Sequence, residues 1–362
     1  MREVQQTRPA AAANAPERTV RLADATTPLL RDCWYVAGWC SDFSRTPKER
    51  LLLGDSLVFY RTEGGQPVAL QNRCPHRSYP LVHGTLEGDL LRCGYHGIAF
   101  KPDGRGADVP SQDFVPASVC ARSYPVVEAA PFVWVWMGDP DAADERTIQD
   151  TSWLRSDDWR HARNYLELDS NYVQLHENLL DLTHFTYLHP TTLGTPEYAR
   201  TPFDVHAQGD VVRITRFVPD CAVPPIYSVT GIRGLMSRHT ISEFLTPAIH
   251  HASATMRDLA PAHGARSEFT IRITHFVTPE SQHRTHYWFA FARDFALDDE
   301  SVTQRMGDSA LTAFNEDKFA LEEMTRLDRL ERRAVNQEIH IRSDQAGVAM
   351  RRVLHRLAQA RP

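Results

Sequence analysis

The sequence predicts an α+β protein of two domains: a β-rich N-terminal domain and a C-terminal domain that mixes strands and helices. Between residues 34 and 137, short apolar runs typical of strands alternate with turn signals such as Gly64-Gly65. Beyond residue 150 the alternating runs become longer, and a helical periodicity follows over residues 301–332. A length of 362 residues is sufficient for two domains with separate cores.

The N-terminal domain is predicted from apolar runs that turn residues separate. In chain order these runs are WYVAGW, LLLGDSLVFY, PVALQNRC, GIAF and FVWVWM. The polar segment DPDAADERTIQD at residues 139–150 predicts a connector, so we assign residues 28–145 to the first domain and residues 146–362 to the second. Residues 1–27 are rich in Ala, Pro and polar groups, which predicts a mobile tail.

The C-terminal domain begins with a strand predicted over residues 160–168. Ser170 is expected to cap a helix that carries Tyr172, Leu175 and Leu179 at helical spacing. Four alternating runs then predict strands: VVRITRFV, HTISEFL, EFTIRITHFV and THYWFAFARDF. The periodic segment 301–332 predicts a long helix.

Composition narrows the class of protein. The chain has 40 basic and 46 acidic residues, a net charge of −6, and its basic residues are scattered, so we expect no nucleic-acid partner. No apolar run approaches the roughly 18 residues of a membrane span, and the first twenty residues lack the apolar centre of a secretion signal. We therefore expect a cytoplasmic protein without a membrane partner, whose widely spaced Cys33, Cys40, Cys120 and Cys221 are free thiols.

Two Cys/His pairs are the most informative feature of the N-terminal domain. The pairs Cys74-x-His76 and Cys93-x-x-His96 are sixteen residues apart, and each supplies one thiolate and one imidazole. Such a set can hold a [2Fe–2S] cluster asymmetrically, with the Cys pair on one iron and the His pair on the other. Structural zinc is the alternative, although zinc sites usually pair Cys with Cys and His with His.

A second metal site is predicted where His residues share a segment with polar side chains. Asn178, Asp181 and His184 are three residues apart, which places them along one face of a helix. His184 and His189 are five apart, or about 140° around a regular helix, so the helix must distort or end between them. Pro190 makes an ending there plausible. Two His and one carboxylate form the ligand set of non-haem Fe(II) oxygenases.

The missing carboxylate is expected from the C-terminal helix. The apolar stripe of that helix consists of Leu311, Phe314, Leu321, Met324 and Leu327. Asp317 falls on this stripe, and a buried Asp is costly unless it is paired or binds a metal. Glu316 lies about 100° away, so we select Asp317 as the third ligand. Open alternatives are that Asp317 caps a helix or pairs with Arg, that Asp181 is a surface acid, and that the His residues bind nothing.

The same segments carry a family resemblance. They are NRCPHR at 72–77, CGYHG at 93–97, NLLDLTHFTYLHPTTLGT at 178–195 and FNEDK at 314–318. The chain resembles the α subunits of Rieske non-haem iron oxygenases over about residues 30–330. Its resemblance is greatest to the branch that contains vanillate O-demethylase, toluenesulfonate methyl-monooxygenase and dicamba O-demethylase. The segments HPTTLGT and HYWFAFARDFALDDE are typical of that branch.

The resemblance implies an all-β Rieske domain and a catalytic domain with an antiparallel sheet flanked by helices, a helix-grip-like fold. It implies a Rieske [2Fe–2S] cluster in the first domain and a mononuclear Fe(II) in the second. It further implies a homotrimer in which the cluster of one subunit faces the iron of its neighbour. By motif position, Asp181 would join His96 across that interface to His184, and Asn178 would lie near the iron.

The implied function is that of the terminal oxygenase in a multicomponent monooxygenase. Oxidation by O2 needs two external electrons, and no G-x-G-x-x-G follows a predicted strand, so an NAD(P)H-dependent flavin and iron–sulfur reductase is expected as a separate partner. The expected substrate is a small aromatic compound bearing a carboxylate or sulfonate, oxidised by O-demethylation, with its pocket in residues 200–290. Hydroxylation of a ring or side chain and N-demethylation are alternatives, and a zinc-stabilised binding protein is a remote one.

Overall fold

The structure, a computed structural model, describes residues 21–331 and 338–360. Most of the predicted tail at 1–27 and residue 332 of the predicted long helix therefore lie outside the described residues. Residues 21–27 include a segment packed on the C-terminal domain: Ala23 is fully buried, and its N–H donates to the carbonyl oxygen of Arg351 at 3.1 Å. Packing against the second domain thus begins before residue 28.

The N-terminal domain is built from short antiparallel strands in three sheets. The strands are β1 (Trp34–Trp39), β2 (Lys48–Leu52), β3 (Asp55–Arg61), β4 (Pro67–Gln71), β5 (Thr85–Glu87), β6 (Leu90–Arg92), β7 (Ala99–Phe100), β8 (Gly106–Asp108), β9 (Ser123–Tyr124), β10 (Val126–Ala129) and β11 (Phe132–Trp136). The sheet orders are β1-β11-β10, β2-β3-β4-β9 and β5-β6-β7-β8. The prediction of an all-β first domain is confirmed.

One predicted strand is wrong. The run LLLGDSLVFY is a hairpin, in which Leu52 pairs with Asp55 and the chain turns at Leu53 and Gly54. Both turn residues have positive φ, at 51° and 80°. The apolar residues on the two sides of the turn belong to different strands, so the run looks continuous although the chain reverses within it.

The C-terminal domain contains a seven-stranded antiparallel sheet with helices. The strands are β12 (Arg160–Leu168), β13 (Phe203–Gln208), β14 (Val211–Cys221), β15 (Met236–Thr246), β16 (Ile249–Asp258), β17 (Glu268–Ser281) and β18 (Arg284–Arg293), in the order β12-β18-β17-β16-β15-β14-β13. The helices are α1 (Tyr172–Leu180), α2 (Phe185–Leu188), α3 (Glu300–Glu331) and α4 (Gln345–Gln359). The predicted antiparallel sheet flanked by helices is confirmed. None of the described helices has the length and apolar character that crossing a membrane would require.

The N-terminal cap of α1 differs from the prediction by one residue. The side chain of Asn171 accepts the N–H of Val173 at 2.8 Å, so Asn171 is the cap. Ser170 is fully buried, and its hydroxyl donates to the side chain of Gln174 at 2.8 Å. Ser and Asn are comparably good caps. Asn171 is the cap here because the Ser170 hydroxyl is already engaged with Gln174.

Three hydrophobic cores position the functional residues. A small core inside the N-terminal domain includes Cys74 and Cys93. A second core joins the two domains, where Phe132 packs against Phe276 with ring centroids 4.1 Å apart and the rings tilted by 50°. The largest core lies between the seven-stranded sheet and the helices. It includes Leu179, which follows the predicted metal-site residue Asn178 in the sequence. The two predicted metal sites therefore belong to different cores.

Candidate metal centres

The first Cys/His pair lies on a tight loop between β4 and β5. The N–H of Cys74 donates to the carbonyl oxygen of Tyr79, and the N–H of Ser78 donates to the carbonyl oxygen of Cys74, both at 2.9 Å. These two bonds close the loop around the cysteine. His76 lies at the exposed tip of the loop.

The second pair lies on a loop of the same design between β6 and β7. The N–H of Cys93 donates to the carbonyl oxygen of Ile98 at 2.8 Å, and the N–H of Gly97 donates back to Cys93 at 3.0 Å. If each cysteine is counted as the first residue of its loop, the N–H of the fifth residue donates to the carbonyl oxygen of the cysteine. The carbonyl oxygen of the sixth residue accepts from the N–H of the cysteine. The two loops are therefore structurally equivalent, although His96 is the fourth residue of its loop and the first loop carries its histidine third.

The fifth residue of each loop has a left-handed backbone. Gly97 has φ of 74°, and a Cβ there would lie 3.0 Å from Cγ of Pro110. Ser78 occupies the equivalent position with φ of 60°, where a side chain is strained. The Ser78 hydroxyl accepts a hydrogen bond from Nε of Arg73 at 2.9 Å, which offsets part of the strain.

We expect Ser78→Gly to raise the midpoint of thermal unfolding by about 1–3 °C, because relief of left-handed strain outweighs one exposed hydrogen bond. The measurement is unfolding of the cluster-loaded protein followed by circular dichroism. Ser111→Gly, in an exposed loop of the same domain, is the matched control and should lower the midpoint. A midpoint that falls equally in both variants would contradict the strain at Ser78.

The four side chains of these loops are arranged with sulfur inside and imidazole outside. Cys74 and Cys93 are each 2% exposed, whereas His76 and His96 are exposed and their ring centroids lie 4.5 Å apart. Burial raises the pKa of the Cys74 thiol, and the neighbouring Cys93 raises it further, so a thiolate at Cys74 requires a nearby cation. The set fits a [2Fe–2S] cluster whose inner iron takes the Cys pair and whose outer iron takes the His pair.

The second predicted site begins where α1 ends. The helix stops at Leu180, so the predicted alignment of Asn178, Asp181 and His184 on one helical face is wrong. Asp181 instead accepts the N–H of Thr183 through Oδ1 at 2.8 Å and begins a short 3-10 turn. This turn redirects the chain so that His184 points into the domain.

The predicted break between the two histidines is confirmed. The short helix α2 lies between them, and His189 follows its last residue with a non-helical backbone at φ −116° and ψ 44°. A proline disfavours a helical backbone at the residue before it. Pro190 therefore agrees with a helix that ends before His189. The break brings the two imidazoles within 5.1 Å of each other, measured between ring centroids.

All of the predicted residues at this site except Asp181 converge on one carboxylate oxygen. Oδ1 of Asp317, on α3, lies 2.9 Å from Nδ2 of Asn178, 3.0 Å from Nε2 of His189 and 3.4 Å from Nε2 of His184. The possible ligand atoms of His184, His189 and Asp317 all lie within 4.8 Å of one another. Three elements that are distant in sequence therefore form one compact donor set.

This donor set fits a divalent metal ion. Asp317 is 5% exposed, and Nε2 of His184 is buried without a hydrogen-bond partner among residues 21–331 and 338–360. Burial acts to raise the pKa of Asp317, but the imidazoles of His184 and His189 outweigh it and hold that pKa well below its usual range. Two imidazole nitrogens and an ionised carboxylate around one buried point are the ligands of a non-haem iron site with open positions.

Asp181 is half-buried beside this site. Its side-chain carboxylate accepts from Thr183, whose hydroxyl in turn accepts from Nη2 of Arg216 at 2.9 Å. Arg216 is 1% exposed, so the turn that carries Asp181 is anchored to the sheet. Asp181 is thus held in place near the surface without a contact to His96 of its own chain.

A cavity opens beside the donor set. Its wall combines residues of α1, strands β15 to β17 and α3, and none of the described lining residues is Arg or Lys. Most of the wall is apolar, and the polar side chains away from the metal site are those of Tyr227, Thr240, Ser242, Ser253 and His275. The hydroxyl of Thr240 is buried and has no hydrogen-bond partner within the part of the chain that the structure describes. The substrate pocket was expected in residues 200–290, and part of this range does line the cavity. The arginines of the range do not line it.

His275, the cavity histidine away from the metal site, is held neutral. Nδ1 of His275 lies 2.5 Å from the Tyr287 hydroxyl, and complete burial lowers the pKa of His275 to about 3. Ser242 donates to the carbonyl oxygen of Leu179 and so accepts from Nε2 of His250, whose pKa burial also lowers strongly. These polar groups therefore present fixed hydrogen-bonding atoms without charge.

Sequence reasoning missed residues whose roles depend on tertiary packing. Glu316 was set aside as a ligand, and the structure places its Oε2 2.7 Å from Nδ1 of His189. The available signal was its position next to Asp317 in FNEDK. Thr240 and His275 carried no signal, because alternation within a strand does not say which face meets a cavity.

Comparison with known proteins agrees with this geometry. Residues 33–124 match the family described as Rieske [2Fe-2S] domain, and residues 168–360 match the vanillate O-demethylase oxygenase C-terminal domain. The chain is 38% identical over 308 residues to the iron–sulfur subunit of a toluene-4-sulfonate monooxygenase system from Comamonas testosteroni, covering 81% of this chain and 87% of that one. It is 32% identical to a vanillate O-demethylase oxygenase subunit from Pseudomonas sp. (strain ATCC 19151), covering 86% and 96%.

A solved structure is similar over nearly the whole chain. The crystal structure of dicamba monooxygenase bound to dicamba aligns with a TM-score of 0.83 and 28% identity, covering 92% of this chain and 98% of that one. Sequence and structure comparisons thus agree on a Rieske domain followed by a domain of the vanillate O-demethylase type. The chain belongs to the Rieske non-haem iron oxygenases of the vanillate O-demethylase type, and it is an oxygenase component with a Rieske [2Fe–2S] cluster and a mononuclear iron.

Proposed function

We propose that the protein oxidises a methyl group of a small aromatic acid, with O-demethylation of a methoxy group as the leading reaction. The observation that carries this proposal is the apolar cavity that opens onto the convergent donor set of His184, His189 and Asp317. The vanillate and dicamba relatives are named O-demethylases, which supports the choice of reaction.

In this proposal each metal has its own ligands. Cys74, His76, Cys93 and His96 hold the cluster, and His184, His189 and Asp317 hold the iron. The iron, when bound, supplies activation of O2. Asn178 donates to Oδ1 of Asp317 and thereby orients the carboxylate, since the amide fixes which oxygen faces the imidazoles.

The cavity wall positions the substrate and excludes water. Its apolar residues surround the aromatic ring, and the neutral groups of Thr240 and His275 bind the polar substituent. With the Tyr287 hydroxyl as donor to Nδ1, the Nε2 of His275 carries the proton and offers an N–H to the cavity. A carboxylate or sulfonate is therefore held by neutral donors, because no described Arg or Lys lines the cavity.

The reaction balances with a separate electron source. One methoxy substrate, one O2, two electrons and two protons give the hydroxylated methyl group and water. The resulting hemiacetal then breaks into a phenol and formaldehyde. A [2Fe–2S] cluster delivers one electron at a time, so an NAD(P)H-dependent reductase must recharge it. One relative is named as the iron–sulfur subunit of a monooxygenase system and another as an oxygenase component, which supports a separate partner.

We further propose that electrons cross between subunits of a homotrimer. In the described chain the cluster loops and the donor set share no hydrogen bond or ring contact and belong to separate cores. His76 and His96 are exposed, so the cluster is accessible to a neighbour. Asp181 would accept from His96 of that neighbour and from His184 of its own chain.

Hydroxylation of an aryl methyl group is the second candidate. It is favoured by the 38% identity to the toluene-4-sulfonate relative, whose name describes a substrate with an aryl methyl group. Hydroxylation of the aryl methyl group, in place of a methoxy methyl group, gives a stable benzyl alcohol. N-dealkylation is a weaker possibility on the same scaffold, which the 31% identity to a chloroacetanilide N-alkylformylase component supports.

The test is product analysis with a surrogate NADH-dependent reductase and a panel of vanillate, dicamba and toluene-4-sulfonate. We expect formaldehyde in step with NADH oxidation for at least one methoxy acid. An alcohol from toluene-4-sulfonate without formaldehyde from the methoxy acids would select the second candidate. NADH oxidation that yields only peroxide with every compound would refute the proposal.

A further inference from the structure

Both ring nitrogens of His189 face a carboxylate. Its Nδ1 lies 2.7 Å from Oε2 of Glu316, and its Nε2 lies 3.0 Å from Oδ1 of Asp317. The ring is completely buried, so water does not compete for either nitrogen. Two adjacent acids of α3 therefore contact opposite edges of one imidazole.

The geometry of α3 explains how adjacent residues can do this. Successive side chains on a helix are about 100° apart, so Asp317 projects onto the buried face while Glu316 projects beside it. Glu316 is partly accessible, with its side chain 29% exposed, whereas the side chain of Asp317 is 7% exposed. Only Asp317 is thus placed within the donor set.

The hydrogen bond to Glu316 selects the tautomer of His189. A carboxylate can only accept, so Nδ1 carries a proton toward Glu316. A metal ion bound between Nε2 and Asp317 would then meet the lone pair of Nε2, because Glu316 keeps the ring proton on Nδ1. The Thr192 hydroxyl donates to the same Oε2 at 3.4 Å, which restrains that oxygen.

We propose that Glu316 is a positioning residue that holds His189 in the tautomer and orientation required for metal binding and raises the basicity of its Nε2. The inference rests on the proposed role of His189 as a ligand and adds a residue that does not touch the metal. A carboxylate behind a ligating histidine typically contributes a factor of about 10–100 in metal affinity. Glu316 therefore contributes to iron retention without being a ligand.

The test is the affinity of the mononuclear site for Fe(II), measured without substrate or reductase. The full-length protein with its red cluster intact is stripped of mononuclear iron by a chelator and titrated anaerobically with Fe(II), with Co(II) as a spectroscopic substitute. We expect Glu316→Ala to weaken binding by about 10–100-fold and to shift the Co(II) ligand-field bands. Glu316→Gln keeps a hydrogen-bond acceptor but loses the charge, so its affinity should lie between those of Glu316→Ala and the unmodified protein.

Glu323→Ala is the matched control, because Glu323 lies on the same helix and, among the described residues, its ion pair is with exposed Arg326. It should bind Fe(II) as the unmodified protein does. Glu316 variants that bind within about twofold of the unmodified protein would overturn the inference. Equal weakening by Glu323→Ala would also overturn it, since helix stability would then explain the loss. If Glu316→Ala does not fold, the comparison of Glu316→Gln with Glu323→Gln decides.

Failure of the proposed metal site gives a different result. If His189→Ala binds Fe(II) as tightly as the unmodified protein, His189 is not a ligand and the proposed site is wrong. If His189→Ala loses binding but Glu316→Ala retains it, the site stands and only the positioning role of Glu316 is refuted.

Discussion

Replacement of His184 by alanine is expected to remove the mononuclear iron and to leave the red cluster in place. Nε2 of His184 is buried and lies 3.4 Å from Oδ1 of Asp317, so the variant loses one of three converging donors. Product formation should fall below about a thousandth of the original rate, because the metal supplies the activation of O2. Iron and acid-labile sulfide analysis, together with the visible absorption of the cluster, measures the two metals separately.

The matched control for this variant is His206→Ala, since His206 is an exposed histidine on β13 of the same domain. It should retain both metals and full product formation. Unchanged mononuclear iron in His184→Ala would contradict the ligand set. Loss of the cluster in the same variant would contradict the separation of the two sites.

Replacement of Asp181 by asparagine is expected to retain both metals and to slow electron transfer between them. Asn is as good a cap as Asp, so the turn that begins at Asp181 should persist. The variant loses the carboxylate proposed to join His96 of a neighbour to His184, and loss of such a partner should slow transfer by about 10–100-fold. The measurement is stopped-flow reoxidation of the reduced cluster by O2 in the presence of substrate.

Asp204→Asn, an exposed acid on β13, is the matched control and should transfer electrons at the original rate. Reoxidation of Asp181→Asn at the original rate would show that the bridge assignment is wrong. Loss of mononuclear iron from this variant would instead assign Asp181 to the metal site itself.

The sequence predicted those parts of the site that depend on local chemistry. Asp317 was identifiable because an acid on the apolar stripe of α3 needs a partner, and the structure places it against His184 and His189. The break between the two histidines was predicted from the angle of about 140° between them around a regular helix and from Pro190. The direction of Asp181 could not be predicted, because the end of α1 depends on a capping turn rather than on periodicity.

Features that depend on packing between distant segments were not predictable in the same way. The contact between Glu316 and His189 joins residues that are 127 positions apart. The cavity collects side chains from several elements, and a strand pattern gives only the face on which Thr240 lies. Likewise, the hairpin turn at Leu53 and Gly54 was hidden because both of its strands are apolar.

The most direct test of the proposed function is a single turnover of the reduced protein under ¹⁸O2 with substrate but without reductase. The account predicts that toluene-4-sulfonate gives an alcohol with one ¹⁸O atom, or that a methoxy acid gives formaldehyde and a phenol whose oxygen is unlabelled. Cluster reoxidation without any oxidised substrate across the panel, or an alcohol oxygen derived from water, would contradict it.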